Sequence, residues 1–306
     1  MRIVASSSYL PKNKVTNKEL AEKLGIEESF IEKRTGIKQR YFIEEETIEQ
    51  IAKKAVEKLI VKTNIDIQEI DLIIVATTST NKLMPGISNY IQKELGIKKC
   101  ICFDILAGCS GYVNAMDIAH MYINSGKVKK AIVVGVDVLS KYTNKEDIGT
   151  AIILSDGAGA TLFEKTEEDF YCSRIEAIED KNNILTCHTN GQIAMDGLAV
   201  YKYAVTETVN NIKKLLEDAG ERLEDIRYII PHQSNLKIMN AIASRLNIET
   251  EKMYTNIENT GNTFCASIPI VLEEIQEKKL LQKNDKIVII GYGAGLNTGS
   301  ILLKWE

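Results

Sequence analysis

EIDLIIVATT (69–78) is echoed about 155 residues further on by LEDIRYIIPHQ (223–233). KKAIVVGVD (129–137) and DKIVIIGYG (285–293) repeat at a similar separation, and each pair follows a similar amphipathic helix. Apolar runs of this length alternating with helices are a layered α/β pattern, here built twice. Two halves, 1–170 and 171–306, related by an approximate twofold, are therefore expected. LIIVATT (72–78), AIVVGV (131–136), AIILSD (151–156), RYIIP (227–231) and KIVIIGYG (286–293) are predicted strands, and DGAGA (156–160) is predicted to be a tight turn between strands. Helices are predicted near 45–62, 85–95, 111–125, 199–219, 235–246 and 267–280, with Pro85 and Pro269 near the starts of two of them. In the register of the repeat, Cys109 falls beside Asn262 and Thr77 beside His232. Loops at such strand ends are where open α/β sheets build sites.

Cys109 lies in DILAGCSGYVNAMD (104–117), where a short apolar strand stops at a small-residue turn and a helix begins at the thiol itself. The unpaired N–H groups of a first helical turn favour thiolate over thiol, so a lowered pKa and a nucleophilic role are expected. A small apolar Cys packed between strand and helix fits the position equally well. The balance is tipped by PHQSN (231–235), just after a strand, and NTGNTFCASIP (259–269), leading into a helix. His232 and Asn262 each carry a neutral N–H that can stabilise a developing negative charge, and each such donor is worth roughly 100- to 1000-fold in rate. Taken singly, the His is a satisfied core residue and the Asn a turn residue; with Cys109 they make a catalytic set.

These segments, with DGAGA and the closing GYGAGLNTGS (291–300), resemble 3-oxoacyl-ACP synthase III from KRTGIKQRYF (33–42) to the C-terminus. The resemblance implies the five-layered thiolase-like α/β fold, a homodimer, and a decarboxylating Claisen condensation. An acyl-CoA acylates Cys109, malonyl-ACP loses CO₂ against His232 and Asn262, and a 3-oxoacyl-ACP results, initiating fatty acid synthesis. It further implies an oxyanion hole from the backbone N–H groups of Cys109 and Ala294. Substrate contacts fall on Phe30, Arg34, Met84, Ile148, Gly197 and Asn235, and docking of the acyl carrier protein on Lys202, Lys237 and Arg245. The chain departs from the family at the site mouth. Phe30 stands where a Trp commonly stacks on adenine, Ile148 where its Arg partner stands, and Met84 where a Phe crosses the dimer interface to close the acyl pocket. The loop also reads Leu-Asn-Thr-Gly where Leu-Thr-Trp-Gly is usual. A specialised relative using another acceptor or an acyl-ACP donor is the alternative, as is a silent partner subunit, against which the intact Cys-His-Asn set speaks. Thiolase and hydroxymethylglutaryl-CoA synthase would add a second catalytic Cys or a Glu; Cys265 reads instead as a small packed residue.

Composition agrees without choosing the chemistry. A chain of 306 residues, 44% hydrophobic, supports a large core, and a net charge of −4 argues against gripping nucleic acid. Six cysteines with no CxxC pair and no His cluster give neither a disulfide framework nor a metal site, and fit a reducing cytoplasm. No signal peptide or membrane span is expected, and no cofactor beyond the coenzyme A thioester as substrate. His120 and His188 carry no motif.

Overall fold

The computed structural model describes residues 1–188 and 191–306. Up to Glu164 the chain forms β1 (Arg2–Tyr9), β2 (Asn13–Thr16), α1 (Asn17–Leu24), α2 (Glu28–Thr35), β3 (Gln39–Phe42), α3 (Ile48–Thr63), β4 (Leu72–Ala76), α4 (Ile87–Leu95), β5 (Ile101–Ile105), α5 (Gly111–Asn124), β6 (Lys130–Asp137), α6 (Ile148–Ala151) and β7 (Gly157–Glu164). There follow β8 (Tyr171–Ala177), the short β9 (Leu185–Thr186) and β10 (Ala194–Met195), α7 (Gly197–Ala219), β11 (Ile226–Pro231), α8 (Leu236–Leu246), α9 (Ile257–Thr260), α10 (Ser267–Glu277), β12 (Lys286–Gly293) and β13 (Asn297–Lys304). Local chemistry marks the ends. Thr47 and Gln50 form a capping box on α3, and Asp196 accepts two N–H groups at the start of α7.

Two main sheets result, ordered β1-β7-β6-β4-β5 and β11-β12-β13-β8, beside the two-stranded pairs β2-β3 and β9-β10. The repeat is visible in them: β4 pairs parallel with β6 and β11 pairs parallel with β12, each then followed by an antiparallel neighbour. Side chains alternate between faces along each strand. On β4, Leu72, Ile74 and Ala76 face a central layer of α5 and α10, while Ile73 and Val75 face α3 and α4. On β12, Ile287 and Ile289 meet the same central helices, and Val288 and Ile290 meet α7 and α8. The order is helix, sheet, helix, sheet, helix, the five layers of a thiolase-like fold. Each fully buried Ile or Leu here stabilises the stack by about 1.5–3 kcal/mol, so a charged residue at Ile74 or Ile289 would break the central layer.

Two sequence expectations are corrected. AIILSD is not a strand: Ile148–Ala151 is a helical turn, and the apolar run continues as cavity wall, buried for that reason and not by pleating. DGAGA is not a turn but the start of β7, between β1 and β6, with small residues because α10 crosses it. A Cβ on Gly159 would lie 2.8 Å from Pro269. Buried Asp156 accepts from Ile43 N–H and from Ser140 N–H and hydroxyl, pinning the strand's start. No helix among the described residues is long and apolar enough to cross a membrane.

Candidate active site

Both central helices open through a three-residue 3₁₀ turn, Gly108–Ser110 before α5 and Phe264–Ala266 before α10. Cys109 therefore precedes its helix by two residues instead of starting it, and its counterpart by structure is Cys265, not Asn262. Cys109 and, more than 120 positions further along the chain, His232 and Asn262 line one cavity of about 420 Å³, within the range of small-molecule sites. All three are buried.

The backbone at Cys109 meets the hairpin between β12 and β13. A Cβ on Gly293 would fall 2.7 Å from Cys109 N, and one on Gly108 would fall 3.1 Å from Ala294 N, so glycine at both positions lets the two turns touch. Cys109 and Ala294 each sit in the opening of a 3₁₀ turn, where N–H groups have no partner within the turn. The thiol itself differs from expectation. Burial, with the Asp137 carboxylate behind it, pushes the Cys109 thiol up, and the local backbone N–H opposes this only in part. The resting group is a thiol.

His232 follows Pro231 at the end of β11 and its N–H donates to Ile290 O at 2.7 Å. Its Nδ1 lies 2.8 Å from Ser267 Oγ, which also accepts from Gln233 N–H at 3.3 Å. The neutral tautomer with its proton on Nε2 lets Nδ1 accept from the Ser267 hydroxyl and presents an N–H donor at the other ring nitrogen. Burial pushes the His232 pKa down to about 3, so the imidazole is neutral. Asn262 is fixed by similar logic. Phe264 N–H can only donate, and it lies 3.0 Å from Asn262 Oδ1, which turns Nδ2 the other way. The Asn262 backbone is held by Ile153 O and by Ser155 N–H. Ser267, the hydrogen-bond partner of Nδ1, was missed in the sequence although ASIP contains it; only the fold shows the pairing.

Asp137, fully buried at the end of β6, ties the halves together. Its Oδ1 accepts from Thr77 Oγ1, from Thr78 N–H and hydroxyl and from Ser79 hydroxyl at 2.8–3.2 Å, and its Oδ2 from Cys265 N–H at 3.0 Å. Burial raises its pKa against these donors. Cys265 Sγ donates to Gly108 O at 3.2 Å and stays outside the cavity lining, a small packed residue.

The other predicted contacts divide. Arg34, Gly197, Asn235 and Lys237 line the cavity, and Asn235 caps α8 while donating to Arg34 O. Phe30 and Ile148 stand exposed outside the lining, although Asp147 and Gly149 belong to it. Met84 is 82% exposed and reaches no part of this cavity in its own chain. Lys202, Lys237 and Arg245 are exposed on α7 and α8, the outer layer, with Arg245 donating to Thr206. His120 pairs with Asp169 and stacks on Tyr171 outside the cavity lining, and His188 is exposed. No group of three or more His, Cys, Asp or Glu among the described residues could hold a metal ion.

Comparison with known proteins bears on this geometry. Residues 103–178 match the family model 3-oxoacyl-[acyl-carrier-protein (ACP)] synthase III, and residues 216–305 match its C-terminal counterpart. A beta-ketoacyl-[acyl-carrier-protein] synthase III of Clostridium acetobutylicum is 36% identical over 324 residues, covering 100% of this chain and 98% of the relative. The crystal structure of 3-oxoacyl-[acyl-carrier-protein] synthase III from Aquifex aeolicus superposes with a TM-score of 0.96 at 37% identity, covering 99% of each chain. The priming beta-ketosynthase of the R1128 polyketide biosynthetic pathway superposes at 0.93 with 28% identity, covering 99% of this chain and 96% of that one.

Proposed function

This chain belongs to the 3-oxoacyl-ACP synthase III family, and from that premise we propose that Cys109 carries the acyl group while His232 and Asn262 stabilise the malonyl enolate. The activity is an acyltransferase one, the condensation that initiates fatty acid synthesis. In the first step the Cys109 sulfur forms a bond to the acyl carbon of an acyl-CoA, the carbon–sulfur bond to CoA breaks, and the thiol proton ends on the departing CoA sulfur. In the second, malonyl-ACP loses CO₂ and its electron pair becomes an enolate whose oxygen accepts from His232 Nε2–H and Asn262 Nδ2–H. The carbanion then bonds to the acyl carbon, with the tetrahedral oxyanion against the N–H groups of Cys109 and Ala294. Collapse frees the Cys109 thiolate, which takes up a proton from water.

The observation that most supports this division is that His232 and Asn262 line the cavity of Cys109 with Nδ1 engaged by Ser267 and Oδ1 by Phe264 N–H, so that Nε2 and Nδ2 are the atoms available as donors. We read the protein as a cytoplasmic homodimer. Leu83 and Met84 stand exposed in the segment between β4 and α4, and the β5 edge of the first sheet is open, features a second copy would cover. Arg34, Gly197 and Asn235 would meet the substrate arm, Phe30 and Ile148 its nucleotide, and Met84 the acyl group bound in the partner. Purified protein given acyl-CoA and malonyl-ACP should yield CO₂ and 3-oxoacyl-ACP by mass. Turnover of acyl-CoA with malonyl-ACP left intact would favour the second reading, a specialised transferase, which the likeness to a priming ketosynthase keeps in view.

The same assay tests the mouth. An Arg on an aromatic face contributes about 0.5–2 kcal/mol, so Ile148 weakens adenine binding roughly 2- to 30-fold. Acyl-pantetheine or acyl-ACP should therefore serve comparably to the matched acyl-CoA, and Ile148→Arg should shift the ratio of specificity constants toward CoA. A wild-type preference for acyl-CoA above roughly 100-fold would overturn this. Carrier docking is tested by replacing Lys202, Lys237 and Arg245 together with Glu, which should raise the apparent KM for malonyl-ACP roughly 10-fold at low salt. Unchanged KM there would return the three to ordinary solvated charge.

A further inference from the structure

The matching turns before α5 and α10 each begin with a residue in the left-handed region, Gly108 at φ +58° and Phe264 at φ +46°. Glycine takes that conformation freely, whereas a bulky aromatic residue there is a true outlier. The second half therefore places an aromatic ring where the backbone favours glycine. Such a conformation persists when its surroundings over-determine it, and here they do. Phe264 N–H is held by Asn262, Cys265 N–H by Asp137, and Ala266 N–H by Thr263 O. The ring lines the cavity of Cys109 and packs into an apolar cluster with Leu139, Leu154, Ile193, Tyr142 and Leu185. The charged lining residues, Arg34, Asp147 and Lys237, belong to other elements.

We propose that Phe264 is a specificity-determining residue whose ring fills the apolar part of the cavity and limits the length of acyl chain that Cys109 accepts. The strained turn fixes where the ring stands, so the limit is set by backbone geometry and not by an adaptable side chain. The proposal rests on the reading of Cys109 as the acylated residue. Short straight-chain acyl thioesters are the substrates it favours, with longer ones excluded by the ring.

The test uses the first half-reaction, which does not depend on the Asn262 donor. Acyl mass on the Cys109 peptide is followed over time with straight-chain acyl-CoAs of increasing length, in wild type, Phe264→Ala and Phe264→Gly, with thermal melting as the check on folding. Both variants should raise the long-to-short ratio of specificity constants by roughly 10-fold or more, the scale on which apolar pockets discriminate added methylenes. Ile193→Ala, which enlarges the same apolar cluster without touching the turn, should shift the ratio in the same direction and decides the matter if the Phe264 variants do not fold. An unchanged ratio in the folded variants, or a wild type that already favours long chains, overturns the proposal. Absence of acyl mass on Cys109 with every donor overturns the reading beneath it.

Discussion

Cys109→Ala should lose self-acylation outright and lower condensation by at least roughly 10⁴-fold, because no other thiol can take over the bond. Of the six cysteines, Cys109 is the one that lines the cavity. Cys265 is turned into the packing and donates to Gly108 O, while Cys100 and Cys102 belong to the β5 region, Cys172 lies on β8 and Cys187 is exposed. Because burial and Asp137 hold the Cys109 thiol protonated, its attack is best served when the proton leaves with the CoA sulfur, so no persistent thiolate is required. Peptide mass mapping after incubation with acyl-CoA reads the result directly. A single acyl adduct on any other cysteine of the wild type, or near-normal condensation by Cys109→Ala, would refute the assignment.

His232→Ala and Asn262→Ala should split the reaction. Self-acylation survives in both, whereas decarboxylation of malonyl-ACP falls by at least roughly 100-fold in each, since each removes one donor to the enolate. Asn262→Asp is the sharper variant. Its carboxylate can still accept from Phe264 N–H, keeping the turn, but it offers no N–H to the cavity and should lose decarboxylation as fully as Ala does. The pH profile carries a second check. With its pKa pushed down to about 3, His232 binds a proton only well below neutrality, so its charge does not change between about pH 5 and 8. Decarboxylation by wild type should show no inflection from an imidazole in that interval. Equal loss of both half-reactions in folded variants, or a clear inflection near pH 6.5 that His232→Ala abolishes, would contradict the scheme.

The strands legible in the sequence are those with continuous apolar runs, β4, β6, β11 and β12, because strands buried on both faces carry no polar alternation to confuse them. The sheet neighbours β7 and β13 were hidden for the opposite reason. Both begin in glycine-containing segments, DGAGA, which reads as a turn, and NTGS, which reads as part of a loop, although glycine stands there to admit α10 and the side chains of α5 and β8. The catalytic candidates were legible because each lies in a motif at an element boundary. Their orientation was not. Ser267 on Nδ1, Phe264 N–H on Oδ1 and the hold of Asp137 on Cys265 N–H join residues far apart in sequence or turn on a local φ that no periodicity reveals. The thiol's protonation was misjudged because helix position alone takes no account of burial or of a carboxylate on another strand.

Asp137 is a single carboxylate shared between an exposed segment and the candidate site. One of its oxygens anchors residues 77–79, the stem of the segment carrying exposed Leu83 and Met84; the other anchors the turn that holds Asn262. One carboxylate thus spans from the stem of that protruding segment to the turn carrying Asn262 on the opposite half of the chain. Under the proposed dimer, a second copy seated on that segment would bear, through Asp137, on the turn that carries Asn262.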